Sequence, residues 1–135
     1  MRILVVEDDF ISRRLLCRFL EPFGECDVAI NGKEALTAVG HALQAGENYD
    51  LICLDIMMPE LDGHQALKEI RKMEAEDGKC VGQGAKIIMT TSLEDRKNIL
   101  SAFKEAADGY VVKPVEKKKL ISTLNDLGLE MEIPL

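Results

Sequence analysis

Four apolar runs of this chain are each followed by polar or charged side chains suited to binding a metal ion or a phosphoryl group. These side chains are Glu7, Asp8 and Asp9 after residues 3–6, Asp55 after residues 51–54, Thr90 and Thr91 after residues 87–89, and Lys113 after residues 110–112. Clustered carboxylates repel one another unless a cation or a proton relieves them. A hydroxyl and an ammonium group beside them can bind phosphoryl oxygens. The set therefore predicts a site for a divalent cation and a phosphoryl group.

Asp55 is the candidate nucleophile of this site. A carboxylate can attack phosphorus and form an aspartyl phosphate. Mg2+ fits beside it because this ion prefers oxygen ligands and keeps several waters for a phosphate. Asp55 suits the role better than Asp8 because it stands alone after its apolar run.

Each of these features also has an ordinary structural explanation. Asp8 and Asp9 are favoured at a helix N-cap or first turn, Thr90 is typical of a turn or cap, and Lys113 before Pro114 is typical of a solvated surface. The combination at four separate run ends favours the functional interpretation. Proline also lowers the cost of a cis peptide bond to about 0.5–1 kcal/mol, so a cis bond at Pro114 is one way to aim the lysine inward.

The elements that must position these residues alternate between strand and helix. We predict strands over residues 2–6, 26–30, 50–55, 85–90 and 109–112, helices over 10–21 and 33–45, and further helices marked by Ala66, Leu67, Ile70 and Met73, by Ile99, Leu100, Phe103 and Ala106, and by Leu120, Ile121, Leu124 and Leu127. Apolar strands between amphipathic helices predict a five-stranded parallel sheet covered on both faces, a doubly wound α/β fold. Ligands bind at the carboxyl edge of such a sheet, and the polar side chains would meet there if the first and third strands are neighbours.

Composition restricts the class of protein. The chain has 135 residues, of which 47% are hydrophobic and 30% charged, and this predicts one globular domain with a substantial core. The net charge of −7 argues against sequence-independent binding of nucleic acid. No apolar stretch approaches the roughly 20 residues of a membrane span, and the N-terminus does not resemble a signal peptide. We therefore expect a cytoplasmic protein that binds no membrane.

The four cysteines predict no disulfide framework. Cys17, Cys26, Cys53 and Cys80 form no CxxC pair, and reduced packing residues are the favoured interpretation. A redox role for Cys80 stays open. The run Lys117-Lys118-Lys119 is interpreted first as a solvated helix face, with partner docking as the sharper alternative.

The chain resembles the receiver domain of two-component response regulators and is similar in size to a stand-alone chemotaxis regulator. The resemblance covers nearly the whole chain and lies in four segments, Ile3-Leu4-Val5-Val6-Glu7-Asp8-Asp9, Leu54-Asp55-Ile56-Met57-Met58-Pro59-Glu60-Leu61-Asp62-Gly63, Met89-Thr90-Thr91 and Gly109-Tyr110-Val111-Val112-Lys113-Pro114. It implies a flavodoxin-like fold with strand order 2-1-3-4-5, a receiver domain over residues 1–128 and a short tail over 129–135.

The resemblance also implies a role for each matching residue. Asp55 corresponds to the phosphoacceptor, and Lys113 to the lysine that pairs with phosphoryl oxygens. The implied Mg2+ ligands are Glu7, Asp8, Asp55 and the backbone carbonyl of Met57, with Glu7 acting largely through water. Thr90 corresponds to the switch hydroxyl and Tyr110 to the aromatic residue that changes rotamer with it.

The implied function is a single-domain response regulator of a two-component system or phosphorelay. It would accept a phosphoryl group from a sensor histidine kinase or histidine phosphotransfer protein, and catalyse only its own phosphorylation and dephosphorylation. It would then bind a target through the fourth helix, fifth strand and fifth helix, or pass the phosphoryl group on, unless it is a fragment of a larger protein. Phe10, Ile11 and Leu15 are either core residues or a docking surface for the phosphodonor.

Three other functions fit the sequence less well. A Mg2+-dependent phosphohydrolase usually has a second aspartate two residues after its nucleophile, where this chain has Met57. Nucleotide or flavin binding is disfavoured because no GxGxxG or GxxxxGK[ST] motif follows the first strand. A binding module without phosphorylation is disfavoured because the acidic pair, Asp55, Thr90 and Lys113 are all present.

Overall fold

Five parallel strands form one sheet in the computed structural model, which describes residues 1–58, 61–79, 83–92 and 107–129. The strands are β1 (Arg2–Val6), β2 (Glu25–Ala29), β3 (Leu51–Asp55), β4 (Lys86–Thr91) and β5 (Gly109–Val112). Their order is β2-β1-β3-β4-β5, which confirms the flavodoxin-like α/β fold and makes β1 and β3 neighbours.

Four α-helices lie in the described part of the chain. They are α1 (Phe10–Leu20), α2 (Gly32–Ala45), α3 (Gly63–Glu76) and α4 (Lys117–Asp126), and a short 3-10 helix over Glu21–Phe23 follows α1. The helix predicted from Ile99, Leu100, Phe103 and Ala106 lies outside the described residues, as do Pro59, Cys80 and residues 130–135. None of the described helices is both long enough and apolar enough to cross a bilayer.

The sheet buries a separate apolar cluster on each face. Leu4 and Val6 of β1 point into the cluster that α2 and α3 cover. Ile3 and Val5 point to the opposite cluster, which α1 and α4 cover. Successive side chains of a strand face opposite sides of a sheet, so a continuous apolar run is what a strand covered on both faces requires.

The edge strand β2 departs from the predicted pattern. It begins and ends one residue earlier than predicted, at Glu25–Ala29, and Val28 is half exposed. It is not buried throughout because only β1 pairs with it among the described strands. The other strands lie within one residue of their predicted ends, because their apolar runs are sharply bounded.

Helix α1 exposes apolar residues for which the sequence left two interpretations open, the core and a docking surface. Phe10 and Ile11 are 60% and 74% exposed, and Leu15 is partly exposed, whereas Leu16 and Leu20 are buried. The core interpretation of Phe10, Ile11 and Leu15 is therefore wrong, since these side chains form an apolar strip on the surface. Helix α1 also ends at Leu20, one residue before its predicted end, and the chain continues as the 3-10 helix over Glu21–Phe23.

A network of charged side chains lies at the opposite, amino-terminal edge of the sheet. Arg71 of α3 pairs with Glu74 at 2.7 Å and with Asp108 at 2.8 Å, and donates to the carbonyl of Ala85. Glu74 is buried and accepts a hydrogen bond from the Ala85 N–H, while Asp108 accepts one from Ile87. These bonds join α3 to the starts of β4 and β5.

Candidate functional site

The register of the sheet brings the predicted site residues to one edge. Val6 lies opposite Leu54, and Asp55 lies opposite Thr90. Thr91 lies opposite Val112, the last residue of β5, so Lys113 follows at the same level. Because the strands are parallel, the residues that end β1, β3, β4 and β5 all face the same side of the molecule.

Three carboxylates converge at this edge. One side-chain oxygen from each of Glu7, Asp8 and Asp55 lies within 4.8 Å of the other two. Glu7 and Asp55 are buried, whereas Asp8 is exposed and opens the group to solvent. The donor set consists only of oxygens and carries a concentrated negative charge, which fits a hard cation such as Mg2+.

The buried position of Glu7 perturbs its acid–base behaviour. Burial raises the pKa of the Glu7 carboxyl, and the neighbouring Asp55 carboxylate raises it further, while Lys113 acts in the opposite direction. A carboxylate in these surroundings is relieved by a proton or by a cation. The raised pKa is thus consistent with a cation site.

Asp9 has the structural role that was the alternative for the acidic run. Its side chain accepts a hydrogen bond of 2.9 Å from the Ser12 N–H and caps α1. That backbone hydrogen bond lowers the pKa of Asp9. The run is therefore divided, because Asp9 caps the helix while Glu7 and Asp8 join the carboxylate cluster.

Lys113 lies against the buried carboxylates. Its ammonium group contacts Glu7 Oε1 and lies 3.2 Å from Asp55 Oδ2. Burial alone would lower the pKa of Lys113, but the hydrogen bond to Glu7 and the charges of Asp55 and Glu7 outweigh it, so the pKa is raised. The lysine is therefore held protonated beside the candidate nucleophile. The Lys113–Pro114 peptide bond is cis.

The loop after β3 holds Asp55 from its other side. The Met57 N–H donates to Asp55 Oδ1 at 3.2 Å, and the Gly63 N–H donates to the Ile56 carbonyl at 2.9 Å. A Cβ at Gly63 would lie 2.3 Å from the Asp55 carbonyl oxygen, so only glycine allows this approach. The sequence motif that begins at Leu54 ends in Gly63, but the packing role of this glycine follows only from the folded backbone.

A capping box fixes the start of α3 beside this loop. The Asp62 side chain accepts a hydrogen bond from the Gln65 N–H, and the Gln65 side chain accepts one from the Asp62 N–H. The beginning of α3, where Gly63 packs against Asp55, is thereby set.

Thr90 and Tyr110 differ in their surroundings. Thr90 is fully buried, and its hydroxyl oxygen has no hydrogen-bond partner among the residues that the structure describes. Tyr110 on β5 is 40% exposed. Buried hydroxyls are usually hydrogen-bonded. The Thr90 hydroxyl is therefore suited to donate a hydrogen bond to a new acceptor near Asp55, which lies opposite it in the sheet.

Arg13 is a residue of the site that the sequence analysis did not predict. Arg13 of α1 donates through Nη1 to the backbone carbonyls of Glu7 at 3.0 Å and of Asp8 at 3.4 Å. The available signal was an arginine about one helical turn after Asp9, the residue that follows the acidic pair. Such spacing alone does not show where a long side chain ends.

The described cysteines and the lysine run, which the sequence analysis also discussed, do not belong to the carboxylate cluster. Cys17, Cys26 and Cys53 are free thiols, and burial raises the pKa of Cys26 to about 11 and of Cys53 to about 12. Lys117, Lys118 and Lys119 are exposed at the start of α4.

Comparison with known proteins gives a consistent result. The model of the response regulator receiver domain matches residues 3–125. The chemotaxis protein CheY of Halobacterium salinarum is 35% identical over 127 residues, which cover 93% of this chain and 95% of that protein. The transcriptional regulatory protein ResD of Bacillus subtilis is 37% identical, and the osmosensing histidine protein kinase SLN1 of Saccharomyces cerevisiae is 30% identical. The matches cover 89% and 93% of this chain, but only 45% of ResD and 10% of SLN1.

Solved structures show the same similarity. The receiver domain of the Francisella response regulator 1452 has a TM-score of 0.70 and 33% identity, with 93% of this chain and 94% of that chain covered. A chain in the co-crystal structure of the Saccharomyces cerevisiae histidine phosphotransfer signaling protein Ypd1 with the receiver domain of its downstream response regulator Ssk1 has a TM-score of 0.79 and 26% identity, with 95% and 88% covered.

Proposed function

The chain belongs to the response regulator receiver domain family, and from that premise we propose that it is a single-domain response regulator phosphorylated on Asp55. In this proposal it receives the phosphoryl group from a phosphohistidine in a two-component system or phosphorelay. The receiver domain spans residues 1–128, with a short tail over 129–135, and the protein works in the cytoplasm.

One observation carries the proposal. The buried carboxylate of Asp55 lies between a lysine ammonium group at 3.2 Å and the carboxylates of Glu7 and Asp8. This arrangement supplies a nucleophile, a fixed cation and a set of oxygen ligands around one point at the sheet edge. In-line phosphoryl transfer depends mainly on such positioning and charge compensation.

Each residue has a definite part in the transfer. An Asp55 carboxylate oxygen attacks phosphorus as the bond from phosphorus to the donor histidine nitrogen breaks, and that nitrogen keeps the bonding electron pair. Lys113 pairs with the phosphoryl oxygens. Glu7, Asp8, Asp55 and the Met57 carbonyl would hold Mg2+, which when bound supplies positive charge against the developing charge of the phosphoryl oxygens.

Phosphorylation then shifts a conformational equilibrium. The modified Asp55 carries about two negative charges and strong acceptor oxygens, and the buried Thr90 hydroxyl moves to bind one of them. Tyr110 fills the space that Thr90 leaves. The surface that includes β5 and α4, which is the fifth of the predicted helices, thereby changes. A target protein that binds the two forms unequally responds to this change.

The strip of Phe10, Ile11 and Leu15 on α1 is proposed as the docking surface for the phosphodonor. These side chains are exposed apolar groups at the start of the helix that follows Asp9. The similarity to a chain in the Ypd1–Ssk1 complex supports a histidine phosphotransfer partner. A docked partner would bury the strip and bring its histidine to the carboxylate edge.

The proposal is tested by intact mass after incubation with Mg2+ and acetyl phosphate. The wild type is expected to gain one phosphoryl group, and Asp55→Asn none. Asp62→Asn is the matched control, because it removes a nearby carboxylate while its amide oxygen still caps α3. A wild type that stays unmodified with excess Mg2+ contradicts the proposal. Steady turnover of p-nitrophenyl phosphate would favour a phosphohydrolase instead.

A further inference from the structure

Arg13 connects α1 to the loop that carries the acidic pair. Its backbone N–H closes the first turn of the helix by donating to the Asp9 carbonyl at 2.9 Å. Its side chain donates through Nη1 to the carbonyls of Glu7 and Asp8. One residue thus takes part in the helix and also in the loop before it.

The direction of this side chain follows from helix geometry. Side chains of a helix point back toward its amino terminus, and Arg13 stands one turn after the N-cap Asp9. Its long stem therefore reaches the carbonyls just beyond the end of β1. The Glu7 N–H is already bonded to the Ala29 carbonyl at 3.0 Å, so Glu7 is fixed on both sides of its Cα.

We propose that Arg13 is a positioning residue for Mg2+ binding by Glu7 and Asp8. In this role its guanidinium group bonds to the carbonyls of Glu7 and Asp8 and fixes the backbone from which both carboxylates project. The inference rests on the proposed function, because it assumes that these carboxylates bind Mg2+. Partners that orient metal ligands from outside commonly change metal affinity by about 10–100-fold.

Charge and positioning predict opposite effects of removing Arg13, which makes the inference testable. A guanidinium group near a cation site repels the cation, so loss of its charge alone would strengthen Mg2+ binding. Loss of the two hydrogen bonds would free the loop and weaken binding. A weaker affinity in Arg13→Met therefore reports positioning and not charge.

Arg14 provides a matched control. It is an exposed neighbour on the same helix, and in the part of the chain that the structure describes it has no hydrogen bond to the loop. Both guanidinium groups lie over the Phe10 ring, at 5.5 Å for Arg13 and 5.8 Å for Arg14. Arg14→Met thus removes the same charge and a similar ring contact without touching the loop carbonyls.

The experiment is a calorimetric titration of Mg2+ into the wild type, Arg13→Met, Arg13→Lys and Arg14→Met. We expect the Mg2+ dissociation constant to rise about 10-fold in Arg13→Met, less in Arg13→Lys, which keeps a donor, and not at all in Arg14→Met. Unfolding without Mg2+ shows whether each variant is folded, and Arg13→Lys serves if Arg13→Met is not.

Phosphorylation by acetyl phosphate provides the second readout. The rate deficit of Arg13→Met should be large at low Mg2+ and shrink as Mg2+ approaches saturation, because the defect lies in binding. Equal affinities of Arg13→Met and Arg14→Met, with the wild type binding Mg2+, would overturn the role of Arg13 alone. A wild type that binds no Mg2+ would overturn the proposed function and this inference with it.

Discussion

At the scale of single residues, the buried carboxylates at the end of the sheet are paired with the ammonium group of Lys113. Asp55 and Glu7 are buried, and Lys113 contacts both. Buried charges are tolerated only when they are paired or bind a metal. In the proposed function, a second cation, Mg2+, would bind beside the solvent-facing Asp8.

The raised pKa of Glu7 gives a pH dependence of stability in the absence of Mg2+. The folded protein holds the Glu7 proton more tightly than the unfolded chain does, because the pKa of Glu7 is raised from its ordinary value of 4.5. The contribution of Glu7 to the free energy of unfolding is therefore fully present below pH 4.5. It is lost as the pH rises through the pKa that Glu7 has in the folded protein. Urea unfolding in EDTA over this range should show the loss in the wild type and not in Glu7→Gln. Identical pH profiles would contradict this account of Glu7.

At the scale of secondary structure, short connections after β1 and β3 hold the functional groups in place. Asp9 caps α1 just after the acidic pair, and Asp62 caps α3 just after the Asp55 loop. Gly63 lets α3 approach β3 closely enough for the Ile56 carbonyl to accept its N–H. The positions of the carboxylates thus depend on helix caps and on one close backbone contact.

Replacing Gly63 with alanine is expected to disturb both stability and phosphorylation. The new Cβ would lie 2.3 Å from the Asp55 carbonyl oxygen and 2.7 Å from the Ile56 Cα, so backbone must move. Crowding of this kind typically costs about 1–3 kcal/mol. Chemical unfolding and the rate of acetyl phosphate labelling measure the two effects.

Gly40→Ala is the control for that substitution. Gly40 lies inside α2, and within the described residues its new Cβ would meet only the flexible end of Met73, at 3.2 Å. Alanine in a helix interior is favoured over glycine by roughly 0.5–1 kcal/mol, so this variant should be as stable as the wild type or more so. If Gly63→Ala behaved like Gly40→Ala, the close approach would not matter for the site.

The opposite edge of the sheet should affect stability without affecting the chemistry. Glu74→Ala leaves Arg71 without one of its carboxylate partners and the Ala85 N–H without its acceptor. Breaking a buried pair in this way costs about 3–5 kcal/mol, and less where the partner is partly exposed, as Arg71 is. Urea unfolding should show the loss, while the labelling rate of the folded protein stays close to wild type. A matching loss of labelling rate would show that the two edges are coupled.

At the scale of the whole molecule, sequence patterns predicted the fold more completely than the site. Strand ends were predicted within one residue because apolar runs stop sharply, and α2 ends at Ala45, as predicted, before Gly46 with its φ of 69°. The sequence left open whether Phe10, Ile11 and Leu15 of α1 are buried, because an apolar period does not state which residues the sheet covers. The reach of Arg13 and the fit of Gly63 depend on tertiary distances that no sequence pattern encodes.

Mg2+ should stabilise the whole fold because the folded chain alone assembles the carboxylates. At a hundredfold excess over its dissociation constant, a ligand of the native state adds about 2.7 kcal/mol to the free energy of unfolding. Thermal unfolding with and without Mg2+ should show this gain in the wild type, and a much smaller one in Asp8→Asn. An equal gain in Asp8→Asn would place the ion somewhere other than this edge.

The central claim is that the carboxylate edge directs a phosphoryl group to Asp55. The most direct measurement is to label the wild type with acetyl phosphate and Mg2+, digest it at low temperature, and locate the phosphoryl group by tandem mass spectrometry. We predict a single modified site at Asp55 and no modification in EDTA. A phosphoryl group on Asp8, on a hydroxyl residue or on a histidine, with Asp55 unmodified, would contradict the claim.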